Sequence, residues 1–247
     1  MSEGAVVMKT YKVNMHTTGH FSPSAACIGL FDGIHLGHAK LAEEALKTAE
    51  NKSIRSAVIT FDPDPREVYL KGVRREHLIT NEMKYSMFER MGFDRIYIIE
   101  FDELFCQMQP DDFIRYLNRL NVKELICGFD FSFGYRGKGN SDTLLQSTDR
   151  KFNVMVLNSV DYLGQKISSS RILEELDRGD IETVSALLGY SYTVVTDRNG
   201  RLHQHLPSDG NYLGRVNGKN QSITIEKGVI TEPLCAGEMT LVFEKRI

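Results

Sequence analysis

The stretch Gly29-Leu30-Phe31-Asp32-Gly33-Ile34-His35-Leu36-Gly37-His38 sets three glycines, two histidines and one aspartate directly behind an apolar run. Glycines let a backbone approach a phosphate closely. Where such a segment opens a helix, unpaired N–H groups and the positive end of the helix dipole favour an anion. His35 and His38 stand three positions apart, so both imidazoles can face one site. Neutral or protonated, each can donate to a phosphate oxygen as charge builds in a transition state. The chemistry these residue types suit is transfer at a phosphate. Two plainer readings stand beside it: a glycine turn with helix-capping histidines, and a zinc pair, for which no third ligand is evident. The spacing matches neither the dinucleotide-binding G-x-G-x-x-G nor the G-x-x-x-x-G-K-S/T phosphate loop.

A loop of this kind needs a strand before it and a helix after it. Apolar runs at 25–31, 56–61, 95–101, 124–128 and 154–157 read as strands, with helical patterns between them. His38, Ala42, Ala45, Leu46 and Ala49 repeat at helical spacing. Asn81 is placed to cap a helix carrying Met83, Met87, Phe88 and Met91. Pro110-Asp111-Asp112 has proline and acids where a helix starts, and leads into Phe113, Ile114, Leu117 and Leu120. The alternation predicts an α/β fold, a Rossmann-like doubly wound parallel sheet with helices on both faces. Ligands of such sheets bind beyond the carboxyl ends of the strands, where 29–38 lies. Helical patterns resume at 170–178 and 180–188. After Gly189 come short β-rich runs at 192–195, 212–216, 222–225 and 239–243, with Asn199-Gly200 and Asn217-Gly218 as hairpin signals. The expected division is a domain at 1–189 and a small antiparallel β unit at 190–247.

The 247 residues, 41% hydrophobic and 26% charged, have the composition of a soluble globular protein. A net charge of −3 offers no general attraction to nucleic acid or an anionic membrane. No apolar run approaches the ~18 residues of a membrane span, and the N-terminal MSEGAVVMKTYKV lacks the pattern of a signal peptide. Cys27, Cys106, Cys127 and Cys235 have no paired spacing; Cys27 and Cys127 sit in strand-like runs as buried thiols. The reading is a cytoplasmic protein, with oligomeric state left open. His203 and His205 would share a strand face, but two imidazoles fall short of a metal site.

The segment 29–38 resembles the G-x-F-D-G-x-H-x-G-H signature of HxGH nucleotidylyltransferases, which transfer a nucleotidyl group and release pyrophosphate. Three further segments narrow the resemblance. T-F-D-P-D-P-R-E-V-Y (60–69) resembles the T-F-x-P-H-P-R-E-x-F segment of bacterial FAD synthetases. C-G-F-D-F-S-F-G-Y-R-G-K-G (127–139) resembles their V-G-x-D-F-x-F-G-x-x-R-x-G loop, and the stretch from Ile167 to Tyr192 resembles their I-S-S-T-x-I-R segment with its following helices. The motifs run in order from about residue 25 to 192. Together they resemble the FMN adenylyltransferase module of bifunctional riboflavin kinase/FAD synthetases.

That resemblance implies transfer of AMP from ATP to FMN, giving FAD and pyrophosphate, with Mg2+ bridging phosphate oxygens. It assigns His35, His38 and Arg171 to catalysis at the phosphates, Arg171 with a bidentate grip. It assigns Gly29, Phe31, Asp32, Gly33, Gly37, Ser168 and Ser169 to ATP, and Asp64, Tyr69, Asp130 and Phe133 to the flavin side. Tyr69 and Phe133 could stack on a flat ring or pack in the core. Arg66 and Glu67 could form a local ion pair. Two departures from the family pattern matter. Ser170 replaces threonine and an arginine follows at once, which leaves the serine register open by one residue. Asp64 stands at the usual histidine position, where a carboxylate would repel FMN phosphate unless screened, protonated or metal-bound. Downstream, Leu206 to Leu213 resembles only the stretch after P-T-A-N in the kinase barrel, and P-T-A-N itself does not occur. A shortened remnant without riboflavin kinase activity is expected. Two rival readings are an HxGH nucleotidylyltransferase with another phosphorylated acceptor, and a non-catalytic flavin or nucleotide sensor.

Overall fold

The computed structural model describes residues 7–70, 76–199, 201–231 and 238–247. Cys235 and the glycine of the Asn199-Gly200 turn lie outside these residues. The chain divides into two compact units: the described residues of 1–31, 38–75 and 85–159 form one, and those of 32–37, 76–84 and 160–247 the other.

In the first unit, strands β1 (Lys9–Val13), β2 (Ser24–Ile28), β3 (Arg55–Asp62), β4 (Arg95–Glu100) and β5 (Val122–Gly128) are followed by a ribbon, β6 (Ser132–Phe133) with β7 (Gly139–Asn140), and by β8 (Asn153–Leu157). The main sheet has the order β1-β4-β3-β2-β5-β8, and every neighbouring pair is parallel. β2 is buried at all five positions and β4 at five of six, the near-continuous burial of a sheet covered on both faces. The sequence did not announce β1, an edge strand with only Val13 buried. The winding runs from β2 out to β3 and β4, then places β5 on the other side of β2. The direction therefore reverses beside β2, and the crevice at its carboxyl end is where such sheets bind ligands.

Helix α1 (Leu36–Lys52) buries Leu41, Ala42, Ala45 and Ala49, one stripe at helical spacing. α2 (Pro65–Tyr69) and α3 (Asn81–Arg90) follow β3. Thr80, not Asn81, caps α3: its Oγ1 accepts from the Met83 N–H at 3.2 Å. The remaining helices are α4 (Glu103–Cys106), α5 (Pro110–Arg119) and α6 (Ser141–Gln146), the last held by an Asn140–Thr143 capping box. Phe105, Phe113, Tyr116 and Leu117 join Ile28, Ile59, Tyr97 and Leu125 in this unit's core.

The second unit contains a short hairpin, β9 (Asp161–Tyr162) with β10 (Gln165–Lys166), then α7 (Ser169–Arg178) and α8 (Ile181–Leu188). Gly179 (φ 75°) and Gly189 (φ 81°) end the two helices in the left-handed region. A five-stranded antiparallel sheet completes the unit in the order β11 (Thr193–Val195), β15 (Thr240–Arg246), β12 (Gly210–Val216), β13 (Lys219–Glu226), β14 (Val229–Ile230). Asn217-Gly218 turns β12 into β13 with φ of 49° and 80°, the two positive angles of a type I′ turn. Tyr212, Ile223, Ile225, Leu241 and Phe243 form one core with Ile172, Leu176, Val184 and Leu187 of the two helices.

Candidate functional site

At the end of β2 the Gly29 N–H donates to the Ile59 carbonyl at 3.1 Å. Phe31 has a positive φ of 56°, uncommon for a bulky residue. Its fully buried ring folds back beneath Gly29, where a Cβ would stand 3.3 Å from it. The same ring packs edge-on against His38 (5.2 Å) and Phe88 (5.1 Å). Loop backbone in a sparsely populated region, fixed by packing, is a common property of ligand-binding turns. His38 sits in the first turn of α1 with its ring set against Phe31.

In the second unit the Asp32 carboxylate is buried. Its Oδ1 accepts from the Leu78 N–H at 2.9 Å, and Oδ2 lies 3.6 Å from His77 Nδ1. The Asp32 carbonyl accepts from Ser169 Oγ at 2.8 Å, and the Gly33 carbonyl from the Tyr190 hydroxyl at 2.5 Å. Burial, and then the Asp32 charge, push the Tyr190 phenol up, so it remains a donor at physiological pH. Gly33 has φ 84°, and a Cβ there would stand 2.8 Å from Leu78 Cδ1. His35 is buried, and a Cβ on Gly37 would lie 3.2 Å from its ring. The glycine between the two histidines thus leaves the His35 imidazole its place.

Ser168 caps α7, its Oγ accepting from the Arg171 N–H at 3.2 Å. Both candidate serines therefore have local partners: Ser168 holds the helix start and Ser169 ties the helix to the loop. Arg171 Nη1 donates to the carbonyls of Tyr162 (3.1 Å) and Gln165 (2.9 Å), with its cation 5.8 Å from the Tyr162 ring centre. Its Nε is buried without a protein hydrogen bond.

Beyond the carboxyl ends of β3, β4 and β5, within the first unit, lies a cavity of about 220 Å³. Phe61, Tyr69, Phe101, Phe105, Phe113 and Phe133 line it, with Met108 and Arg66. Phe133 lies nearly parallel to Phe131 (5.6 Å, 18°) and 5.1 Å from Phe113. Tyr69 is 40% exposed and 6.0 Å from Phe101; burial, and then a hydrogen bond with the Cys106 thiol, push its phenol up. An apolar, aromatic slot with one cation in its wall suits a flat heterocycle. Of the four residues assigned to the flavin side, Tyr69 and Phe133 line this cavity; Asp64 and Asp130 do not. Asp130 is exposed beyond β5, and Gly128 leaves room for its carboxylate.

Asp64 changes character in the structure. It is buried and caps α2, with Oδ1 accepting from the Arg66 N–H at 2.8 Å. The Arg66 side chain forks onto the same carboxylate, with Nε 3.1 Å from Oδ1 and 2.9 Å from Oδ2, and Nη2 2.6 Å from Oδ2. The carboxylate at the family's histidine position is thus screened by a guanidinium two residues away. Sequence reading missed Phe61, Phe101, Phe105, Met108, Phe113 and Arg66 as cavity residues. Phe61 and Phe101 end their apolar runs, so the carboxyl-end rule could have singled them out.

His205 and His203 are both held by carboxylates. His205 Nε2 lies 2.7 Å from Asp177 and Nδ1 3.1 Å from Glu76, and His203 Nε2 is 3.2 Å from Asp197. Among the described residues no group of three or more His, Cys, Asp or Glu is arranged to hold a metal ion, and no helix is long and apolar enough to cross a membrane. Cys27, Cys106 and Cys127 are free thiols.

The FAD synthetase family profile matches residues 18–171. The bifunctional riboflavin kinase/FMN adenylyltransferase of Bacillus subtilis is 37% identical over 185 residues, covering 72% of this chain and 58% of the relative. The FAD synthetase of Listeria monocytogenes is 28% identical over 219 residues, covering 82% of this chain and 86% of the relative. The crystal structure of a macrolide-efflux protein from Streptococcus pneumoniae matches with a TM-score of 0.83 at 23% identity, covering 97% of this chain and 91% of that one, which shows a shared fold. The chain spans 58% of the length of the Bacillus relative. With a profile match across more than half of its residues, the chain belongs to the FAD synthetase family.

Proposed function

We propose that the chain is an ATP:FMN adenylyltransferase that makes FAD and pyrophosphate in the cytoplasm, with residues 1–189 as the catalytic part and 190–247 as the β-rich tail. The observation that carries this reading is the aromatic cavity beyond β3, β4 and β5 in a chain of the FAD synthetase family. A flat isoalloxazine fits between such rings, and Arg66 gives the wall one cation.

An oxygen of the FMN phosphate attacks the α-phosphorus of ATP. The bond from that phosphorus to the oxygen bridging to the β-phosphate breaks, and pyrophosphate leaves with the electron pair. The nucleophile arrives ionised, so neither a strong base nor a covalent enzyme intermediate is needed. Catalysis rests on placing the two phosphates in line and on donors for the charge that develops. His35 and His38 supply two donors to the ATP phosphates. Arg171 supplies a third: the Tyr162 and Gln165 carbonyls hold its Nη1 and so fix the direction of the guanidinium. Ser168 and Ser169 act by fixing the start of α7 and the Asp32 carbonyl rather than by gripping phosphate with their hydroxyls.

A magnesium ion carried by the nucleotide fits this donor set, because Mg2+ keeps several waters and needs few protein ligands beside phosphates. When bound it offsets phosphate charge. The chain carries no P-T-A-N segment, and we assign it no riboflavin kinase activity. Chromatography of FMN with MgATP and the protein is expected to show FAD and pyrophosphate, and riboflavin in place of FMN no product. AMP transfer to a different phosphate ester, with no FAD, would instead establish another acceptor.

A further inference from the structure

We infer that Gln204, in the C-terminal β-rich segment, is a positioning residue for the phosphate loop, acting through Leu78 on Asp32. The inference rests on the adenylyltransferase reading for what the loop holds, and on geometry within the second unit for everything else. Both backbone polar groups of Leu78 are committed. Its N–H donates to Asp32 Oδ1 at 2.9 Å, and its carbonyl accepts from Gln204 Nε2 at 2.9 Å. The same Nε2 donates to the Thr193 carbonyl at 2.9 Å, and Gln204 Oε1 accepts from the Val195 N–H at 2.8 Å. One buried amide therefore fastens β11 of the tail sheet to the residue that holds the loop's aspartate.

The backbone repeats the connection. His77 and Gln204 form a parallel bridge, and the His205 N–H donates to the His77 carbonyl at 3.0 Å. Residues 77 and 78 thus lie as a spacer between Asp32 on one side and Gln204 on the other. Asp32 and Gly33 are the residues whose carbonyls Ser169 and Tyr190 also hold, three and two positions ahead of His35. The side chain must present donors to two carbonyls and an acceptor to one N–H, and glutamine does so with a single planar group. A glutamate would turn an oxygen toward the Leu78 and Thr193 carbonyls, and an apolar residue would leave three backbone groups, one buried and two half-buried, without this partner. The tail is thereby a buttress of the nucleotide loop, and its presence next to an adenylyltransferase needs no kinase reaction to explain it.

The test compares the full-length wild type with Gln204→Met, which keeps the length and removes the hydrogen bonds, and with Gln204→Glu. The readouts are kcat and both KM values with FMN and MgATP, MgATP affinity by calorimetry, hydrogen exchange at the Leu78 amide, and the unfolding midpoint. A loop displaced by about 1 Å should lower kcat by roughly 10–100-fold in both variants. The KM for FMN should stay within about twofold, because uniform flavin binding is untouched. The Leu78 amide should exchange faster as its bond to Asp32 loosens. A merely structural residue would lower the unfolding midpoint and leave kcat of the folded enzyme and Leu78 exchange unchanged; that result overturns the proposal. Should Gln204→Met fail to fold, Gln204→Asn, an amide one methylene short, carries the same readouts and decides in the same way. Should the wild type make no FAD, the functional reading fails on its own. MgATP affinity and Leu78 exchange then decide the positioning role, and unchanged values reject it.

Discussion

Gly139→Ala offers a direct way to probe the aromatic cavity. Gly139 does not occupy the left-handed region, so its backbone accepts alanine. The obstacle is the neighbour: a Cβ there would stand 2.6, 2.7 and 2.9 Å from Cε2, Cζ and Cδ2 of Phe133. Ordinary carbon contacts begin at about 3.5 Å, so the ring must retreat by about 1 Å. Phe113 and Phe131 stand against Phe133, leaving the cavity as the open side. Moved by about 1 Å, the ring narrows the cavity of about 220 Å³ that it lines. Overpacking of this size costs about 1–3 kcal/mol, and a ligand that forces the ring back must overcome it. FMN should therefore bind roughly 5–150-fold more weakly. Quenching of FMN fluorescence on titration measures this, with MgATP affinity as the internal control. A lowered unfolding midpoint with unchanged FMN affinity would refute the reasoning, since the ring would have moved while the cavity's ligand took no notice.

His35→Ala and His38→Ala should each lower turnover by roughly 10²–10³-fold while FMN affinity changes little, as steady-state kinetics and fluorescence titration would show. Asp64→Ala removes the α2 cap and should cost about 0.5–2 kcal/mol in urea unfolding; no loss would deny the capping role. For Asp94, burial pushes the carboxyl up, but the Ser56 N–H, the Arg55 guanidinium and the Ser56 hydroxyl outweigh it and hold the folded-state pKa below the ordinary value. Its contribution to stability is therefore full above the unfolded carboxylate range, near pH ~4, and is lost as pH falls through the still lower folded value. Asp94→Asn should flatten that limb of the stability–pH curve. Finally, Cys106 should react with a thiol reagent before Cys27 and Cys127, whose thiols burial pushes up, Cys127 to about 12 with the Asp130 charge adding to the effect; peptide mapping of labelled native protein gives the order.

Which features were legible in the sequence follows from where their physics is local. Strands β2 to β5 and β8 read as apolar runs because a parallel sheet buries strands on both faces. β1 lies at the edge with one buried side chain, and no such run marks it. The Asn217-Gly218 hairpin was plain because two adjacent positive φ angles demand those residue types. Ser168 and Asp64 were harder, since short polar side chains either grip a ligand or cap a helix, and residue spacing is the same for both. Structure shows the caps. The Leu78–Asp32 bond joins residues 46 apart, and Phe105 and Phe113 face the cavity through the placement of α4 and α5. Neither relation has a periodicity in the chain that could announce it.

The C-terminal sheet turns its apolar face onto two helices rather than around a vacant interior. Its sheet runs β11-β15-β12-β13-β14, and among the described residues it stays open, ending on a two-residue strand. A barrel that binds two substrates needs an interior or a mouth left vacant by side chains. Here the apolar face is filled: Tyr212, Ile223, Ile225, Leu241 and Phe243 pack with Ile172, Leu176, Val184 and Leu187, and the Tyr212 hydroxyl donates to the Ser208 carbonyl at 2.6 Å. Those partners belong to α7 and α8, and α7 is the helix whose start carries Ser168, Ser169 and Arg171. An apolar face can cover helices or enclose a ligand, and burial drives it to the first wherever the helices are present. The sheet therefore stabilises α7, the helix on which Arg171 stands, and its apolar face is taken up by that helix and α8.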